Sequence, residues 1–189
     1  SEIYPFLLDF LVYFVEVFIV FSDGSLYFLA LVQMSTETDC FLFRLNMIDI
    51  PEELQQLLEN PDILKVGLSL SDDMTVIRRR KPIEPAGFVE LQRLCPAYGI
   101  RDASLQKIYA ILFGRRISKS QRLTNWEART LTAAQQSYAA LDAWACLRIF
   151  NQLMTLPTPT PVQFALYDSP TLHHDTTEQR GIRQTIPSV

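Results

Sequence analysis

The sequence predicts an α/β fold with a mixed sheet, and three observations carry that reading. Three apolar, β-branched and aromatic runs joined by short turns fill residues 11–46. Beyond them, short apolar runs alternate with segments of helical spacing, and residues 132–154 form one long periodic stretch. A meander followed by alternating strand and helix gives a sheet with antiparallel and parallel pairs. At 189 residues, 48% hydrophobic and 20% charged, the chain is long enough for one domain with a full core.

The elements follow in order. Residues 11–21 read as a strand, Ser22, Asp23, Gly24 and Ser25 as a turn, and 26–33 as a second strand. Polar residues 35–39 precede a third strand over 40–45. Pro51 opens a helix over 52–60, with Leu54, Leu57 and Leu58 on one face. Residues 63–69 form a short apolar strand, and Ser71, Asp72 and Asp73 signal the start of a helix over 74–80. Another short strand is expected at 88–91, then helices at 106–113 and 132–154, the last with Tyr138, Leu141, Ala145 and Ile149 along one stripe. After Leu156 a repeated Thr-Pro pattern and polar residues read as a tail, dividing the chain into a domain over 1–156 and a Pro-rich tail over 157–189.

The apolar stretch at 3–21 approaches the ~20 residues of a membrane span. Asp9 and Glu16 interrupt it, no basic flank frames it, and Phe, Val and Tyr dominate it. Two buried strands, or a short helix and a strand, fit better than a membrane segment. Cys40, Cys95 and Cys146 are odd in number and form no CxxC pair, which argues against a disulfide framework or a zinc site and suits a reducing compartment. The only histidines are the adjacent His173 and His174, so a histidine-based metal site or a Ser/His triad has little to build on. Net charge is −4, yet residues 78–122 hold eleven Lys or Arg against three Asp or Glu. Such a basic middle can meet a polyanion or simply solvate a helical surface.

Three segments carry candidate chemistry. Residues 65–73 are an apolar strand running into Asp72 and Asp73, at the strand end where α/β sheets place their sites, although an aspartate there can equally be an N-cap. Tyr138 and Asp142 are four apart on the last helix, so phenol and carboxylate share a face, with Ala139 and Ala140 between them; a core tyrosine and a surface aspartate would share that spacing. Asn125, Trp126 and Glu127 precede that helix in a polar, basic segment, and the tryptophan is expected to pack.

In combination, Lys65 to Gly67 with Asp73, the Phe-Val-Glu-Leu run ending at Leu91, Ser104 to Gln106, Asn125 to Glu127, and Tyr138 with Asp142 resemble the tyrosine-containing DEDD 3′–5′ exonucleases, among them ribonuclease D and the Werner-type exonuclease domains. The resemblance covers about residues 26–150. It implies a ribonuclease H-like sheet, two divalent ions (Mg or Mn), and stepwise removal of nucleotides from the 3′ end of DNA or RNA. It further implies Glu16, Asp73 and Asp142 as metal ligands and Tyr138 as the residue that orients the attacking water. The family's first motif, Asp-x-Glu, falls on residues 14–16, where Glu16 is in place and Phe14 stands at the aspartate position. Two expectations follow: an active exonuclease, or an impaired exonuclease-fold module that binds nucleic acid or a protein partner. Lys119 and Arg122, just before the Asn-Trp segment, are the expected contacts to backbone phosphates. A cytoplasmic or, in a eukaryote, nuclear location is expected, with no membrane partner.

Overall fold

The computed structural model describes residues 12–22 and 26–163, with side chains from residue 31 onward. The apolar stretch before residue 12, the turn at 23–25 and the tail from residue 164 lie outside the described residues. The described chain runs β1 (Val12–Ser22), β2 (Leu26–Ser35), β3 (Cys40–Phe43), α1 (Glu52–Glu59), β4 (Leu64–Gly67), α2 (Leu70–Arg80), β5 (Phe88–Glu90), α3 (Leu91–Ala97), α4 (Leu105–Phe113) and α5 (Ala133–Met154). Among the described residues no helix is long and apolar enough to cross a membrane.

The five strands form one mixed sheet in the order β3-β2-β1-β4-β5. The expected meander is antiparallel throughout: Glu16 pairs with Gln33 across β1 and β2, and Met34 with Phe41 across β2 and β3. β4 then joins β1 in parallel, Phe14 standing opposite Val66, and β5 joins β4 in parallel. That is the mixed sheet read from the alternation of apolar runs.

Among the described side chains, alternation along the strands serves a core on each face of the sheet. On one face Val32 and Met34 pack with Leu54, Leu58, Met74 and Ile77 of α1 and α2. On the other, Leu64 and Val66 pack with α3, α4 and α5 through Leu91, Ile108, Ala143 and Ile149. Leu31, two positions from Gln33 and therefore on the same face, packs with Tyr138 and Ala139 at the start of α5. Each fully buried aliphatic side chain contributes about 1.5–3 kcal/mol relative to exposure.

The structure corrects three expectations. α2 begins at Leu70, with Ser69 as N-cap, so neither Asp72 nor Asp73 caps it; both lie in its first turn. Helix α3 was not expected, because Pro96 and a length of seven residues leave almost no periodicity to read. On α5 the inward stripe is Tyr138, Asp142, Ala145 and Ile149; Leu141 is 36% exposed. Hydrophobicity favoured the leucine over the aspartate, whereas burial falls on the aspartate.

Candidate active site

The start of α5 is fixed by a capping box. The Thr132 hydroxyl accepts from the Gln135 amide at 3.2 Å, and the Gln135 side-chain oxygen accepts from the Thr132 amide at 2.9 Å. Gln135 turns its other end to the preceding loop, its Nε2 donating to Thr124 Oγ1 at 3.0 Å and to the Asn125 carbonyl at 2.9 Å. From the far side Arg44 Nη2 donates to the Ala128 carbonyl at 2.5 Å. Trp126 is packed between these anchors, 2% exposed, its ring centroid 6.1 Å from that of Tyr138. The segment carrying Lys119 and Arg122 is therefore bound to the body of the protein while those two side chains stay exposed.

Tyr138 and Asp142 share a face of α5, as their spacing requires, and both are buried. Burial pushes the Asp142 carboxyl up to about 6, against the opposing pull of a hydrogen bond from Tyr138 and of the nearby positive charges of Lys119 and Arg122. Asp142 Oδ1 is buried with no hydrogen-bond partner among the described residues. A buried carboxylate oxygen left without a donor is costly unless something cationic meets it.

Asp73 reaches burial by another route. β4 ends at Gly67, and Ser69 turns the chain into α2 with φ 65° and ψ 28°. This left-handed conformation costs a non-glycine residue about 1–3 kcal/mol unless its surroundings hold it. The holder is Glu90, at the end of β5: its carboxylate accepts from the Ser69 amide at 3.1 Å and the Leu70 amide at 2.7 Å. The Ser69 carbonyl then accepts from the amides of Asp72 and Asp73 at 3.2 and 3.5 Å. Asp73 is 6% exposed and Asp72 is exposed, which singles out Asp73 of the pair. Both α2 and α5 pack against β1, the strand that carries Glu16.

The family model described as 3′–5′ exonuclease matches residues 23–156. This chain belongs to the 3′–5′ exonuclease family. It is 34% identical over 134 residues to exonuclease 3′–5′ domain-containing protein 2 of Drosophila melanogaster, covering 69% of this chain and 23% of that protein. To the bifunctional 3′–5′ exonuclease/ATP-dependent helicase WRN of Mus musculus it is 31% identical over 153 residues, covering 78% of this chain and 11% of that protein. The chain thus spans about a quarter or less of these relatives' length. Among solved structures, Escherichia coli RNase D superposes with a TM-score of 0.70 at 25% identity, over 83% of this chain and 40% of that one. The Aedes aegypti Nibbler EXO domain superposes with a TM-score of 0.71 at 20% identity, over 87% of this chain and 89% of that one. The fold is the ribonuclease H-like one of this exonuclease family.

Against the exonuclease pattern, the described structure brings Tyr138, Asp142, Lys119 and Arg122 together. It puts Asp73, buried, in the first turn of α2, just past the carboxyl end of β4, the parallel neighbour of β1. Glu16 stands opposite Gln33 in the backbone register and Phe14 opposite Ser35; their side chains lie outside the described residues. Among the described residues no three His, Cys, Asp or Glu side chains gather in a metal-sized group. The donor chemistry nevertheless fits a hard divalent ion: Asp142 offers an unpartnered buried oxygen, and carboxylates are the ligands magnesium and manganese prefer.

Sequence reading missed Glu90, Gln135 and Gln33. The last is fully buried on the face that packs against α5. A signal existed for each: a carboxylate ending a short apolar strand, a glutamine three residues after a threonine at a helix start, and a glutamine inside an otherwise apolar strand.

Proposed function

We propose that this exonuclease-family chain is a metal-dependent 3′–5′ exonuclease that hydrolyses phosphodiester bonds at nucleic-acid 3′ ends. Asp73 and Asp142, with Glu16 of β1, would hold two divalent ions, Mg or Mn. The observation that carries this reading is the buried Asp142 oxygen without a donor, beside a tyrosine and two cations. Bound ions would supply Lewis-acid activation of water and stabilisation of the leaving 3′ oxygen. Tyr138, whose hydroxyl is fixed by Asp142, can accept a hydrogen bond from the attacking water and so orient it. Lys119 and Arg122 attract the phosphate backbone to the site without reading bases. Cys40, Cys95 and Cys146 form no disulfide among the described residues, and a cytoplasmic or nuclear setting, where thiols stay reduced, is the one we propose.

The test is degradation of 5′-labelled DNA and RNA oligonucleotides with Mg or Mn, with chelator, and by Asp142→Ala. Shortening from the 3′ end that needs metal and disappears in the variant supports the reading. Degradation that survives chelation and the substitution rejects it.

One observation favours a second reading. Phe14 stands where the family motif has an aspartate, which removes one ligand charge. On that reading the chain is a catalytically impaired module that binds nucleic acid or a protein partner. It predicts salt-dependent oligonucleotide binding without cleavage, and cleavage gained by Phe14→Asp.

A further inference from the structure

We propose that Glu90 is a positioning residue for the metal ligand Asp73, acting through the strained start of α2; the metal part of this proposal rests on the function proposed above. Three backbone N–H groups converge on the one carboxylate. Oε1 accepts from Ser69 at 3.1 Å and from Gln92 at 3.0 Å, and Oε2 accepts from Leu70 at 2.7 Å. Ser69 and Leu70 are the cap and first residue of α2, and Gln92 lies in the first turn of α3. One negative group thus serves the positive ends of two helices at once.

The arrangement is specific to holding Ser69. Among the described residues, Ser69 is the one non-glycine with positive φ. Its side chain does not cap its own helix; its hydroxyl instead accepts from Gln92 Nε2 at 3.1 Å, and that amide also donates to the Ala103 carbonyl at 3.1 Å. Ser69 is gripped at its amide by Glu90 and at its hydroxyl by Gln92, two residues on. Its carbonyl receives the amide of Asp73. A chain of backbone contacts therefore runs from the end of β5 to the carboxylate-bearing residue. If the Ser69 turn relaxes, the first turn of α2 rotates and Asp73 leaves its orientation.

The prediction is measured on the full chain with Glu90→Gln, which keeps size and one acceptor but loses the charge, and with Glu90→Gln combined with Ser69→Gly. Two measurements are made: amide hydrogen exchange over residues 69–73 in the metal-free protein, and Mn²⁺ affinity by electron paramagnetic resonance. Glu90→Gln is expected to speed exchange at 69–73, leave exchange around Asp142 unchanged, and weaken Mn²⁺ binding roughly tenfold, the usual cost of losing support behind a ligand. Glycine adopts the left-handed turn without strain, so the double variant is expected to recover most of the affinity. That rescue would not occur if Glu90 merely stabilised the fold. Unchanged exchange at 69–73, or Mn²⁺ affinity within twofold of the parent, overturns the proposal. Faster exchange in Glu90→Gln with no Mn²⁺ bound even by the parent overturns the metal reading, while still supporting the hold of Glu90 on the helix.

Discussion

The Tyr138 phenol donates to the Asp142 carboxylate one helical turn along α5, and Trp126 packs beside the tyrosine. The hydroxyl is therefore directed before any substrate arrives. Its bond holds Asp142 toward the charged form against the effect of burial.

Tyr138→Phe removes that donor and leaves the packing. Steady-state kinetics should show kcat lowered about 10²-fold with KM little changed, the pattern of a missing water-orienting group. The acidic limb of the pH–rate profile should move to higher pH, because the carboxyl loses a bond that favours ionisation. A proportional rise in KM would assign the tyrosine to substrate binding instead.

Asp142 titrates near 3.8 when unfolded and at about 6 when folded. Because the folded value is raised, its contribution to stability is complete below 3.8 and lost as pH rises through 6. At about 1.4 kcal/mol per unit, the metal-free protein should lose about 3 kcal/mol from this group across that window. Urea melts in chelator should show that loss in the parent and not in Asp142→Asn, which should be the more stable protein at pH 7.5. Added Mg or Mn should stabilise the parent alone.

Lys119→Ala and Arg122→Ala each remove a charge that Asp142 feels. Binding to a single-stranded oligonucleotide should weaken, and the slope of log K against log salt should fall by about 0.7 for each phosphate that the variant no longer neutralises. An unchanged slope would place the strand elsewhere.

Lys65 is fully buried on β4, where its Nζ donates to the carbonyls of Leu57 (3.0 Å) and Asn60 (2.5 Å) at the end of α1. Burial lowers its pKa to about 8 from 10.5. The unfolded chain therefore binds more protons between pH 8 and 10.5, and stability from this group rises across that range. Lys65→Met should destabilise the protein by about 1–3 kcal/mol for two carbonyls left without a donor. The gap from the parent should widen between pH 8 and 10.5 in denaturant titrations.

Gly87 passes close over the same helix end at φ +69°, and a Cβ there would meet the Ile63 carbonyl oxygen at 2.6 Å. Gly87→Ala should cost about 2 kcal/mol or more, visible as a melting temperature lower by several degrees.

Most of the fold was legible in the sequence because its signals are local. Pro51 and the alternating runs mark the strands and α1, and the spacing of Tyr138 and Asp142 puts phenol and carboxylate on one face of α5. What was not legible depends on groups distant in sequence. Leu141 and Asp142 compete for the inward position on α5, and only the packed helix gives it to the aspartate. The start of α2 reads as Asp72 or Asp73 because aspartate is a good cap, yet a carboxylate twenty residues away holds the Leu70 amide. The carbonyls that hold Lys65 Nζ belong to the end of α1, and nothing in the apolar strand itself announces them.

Gln135 has a mechanical consequence. One side chain closes the first turn of the helix bearing Tyr138 and also ties down the loop that ends in the Asn-Trp pair. Tension on that loop, were a polyanion to pull on its cations, would therefore reach the helix end. A strand seated on Lys119 and Arg122 would thus bear on the turn that aims the phenol, a lever with its fulcrum at a single amide.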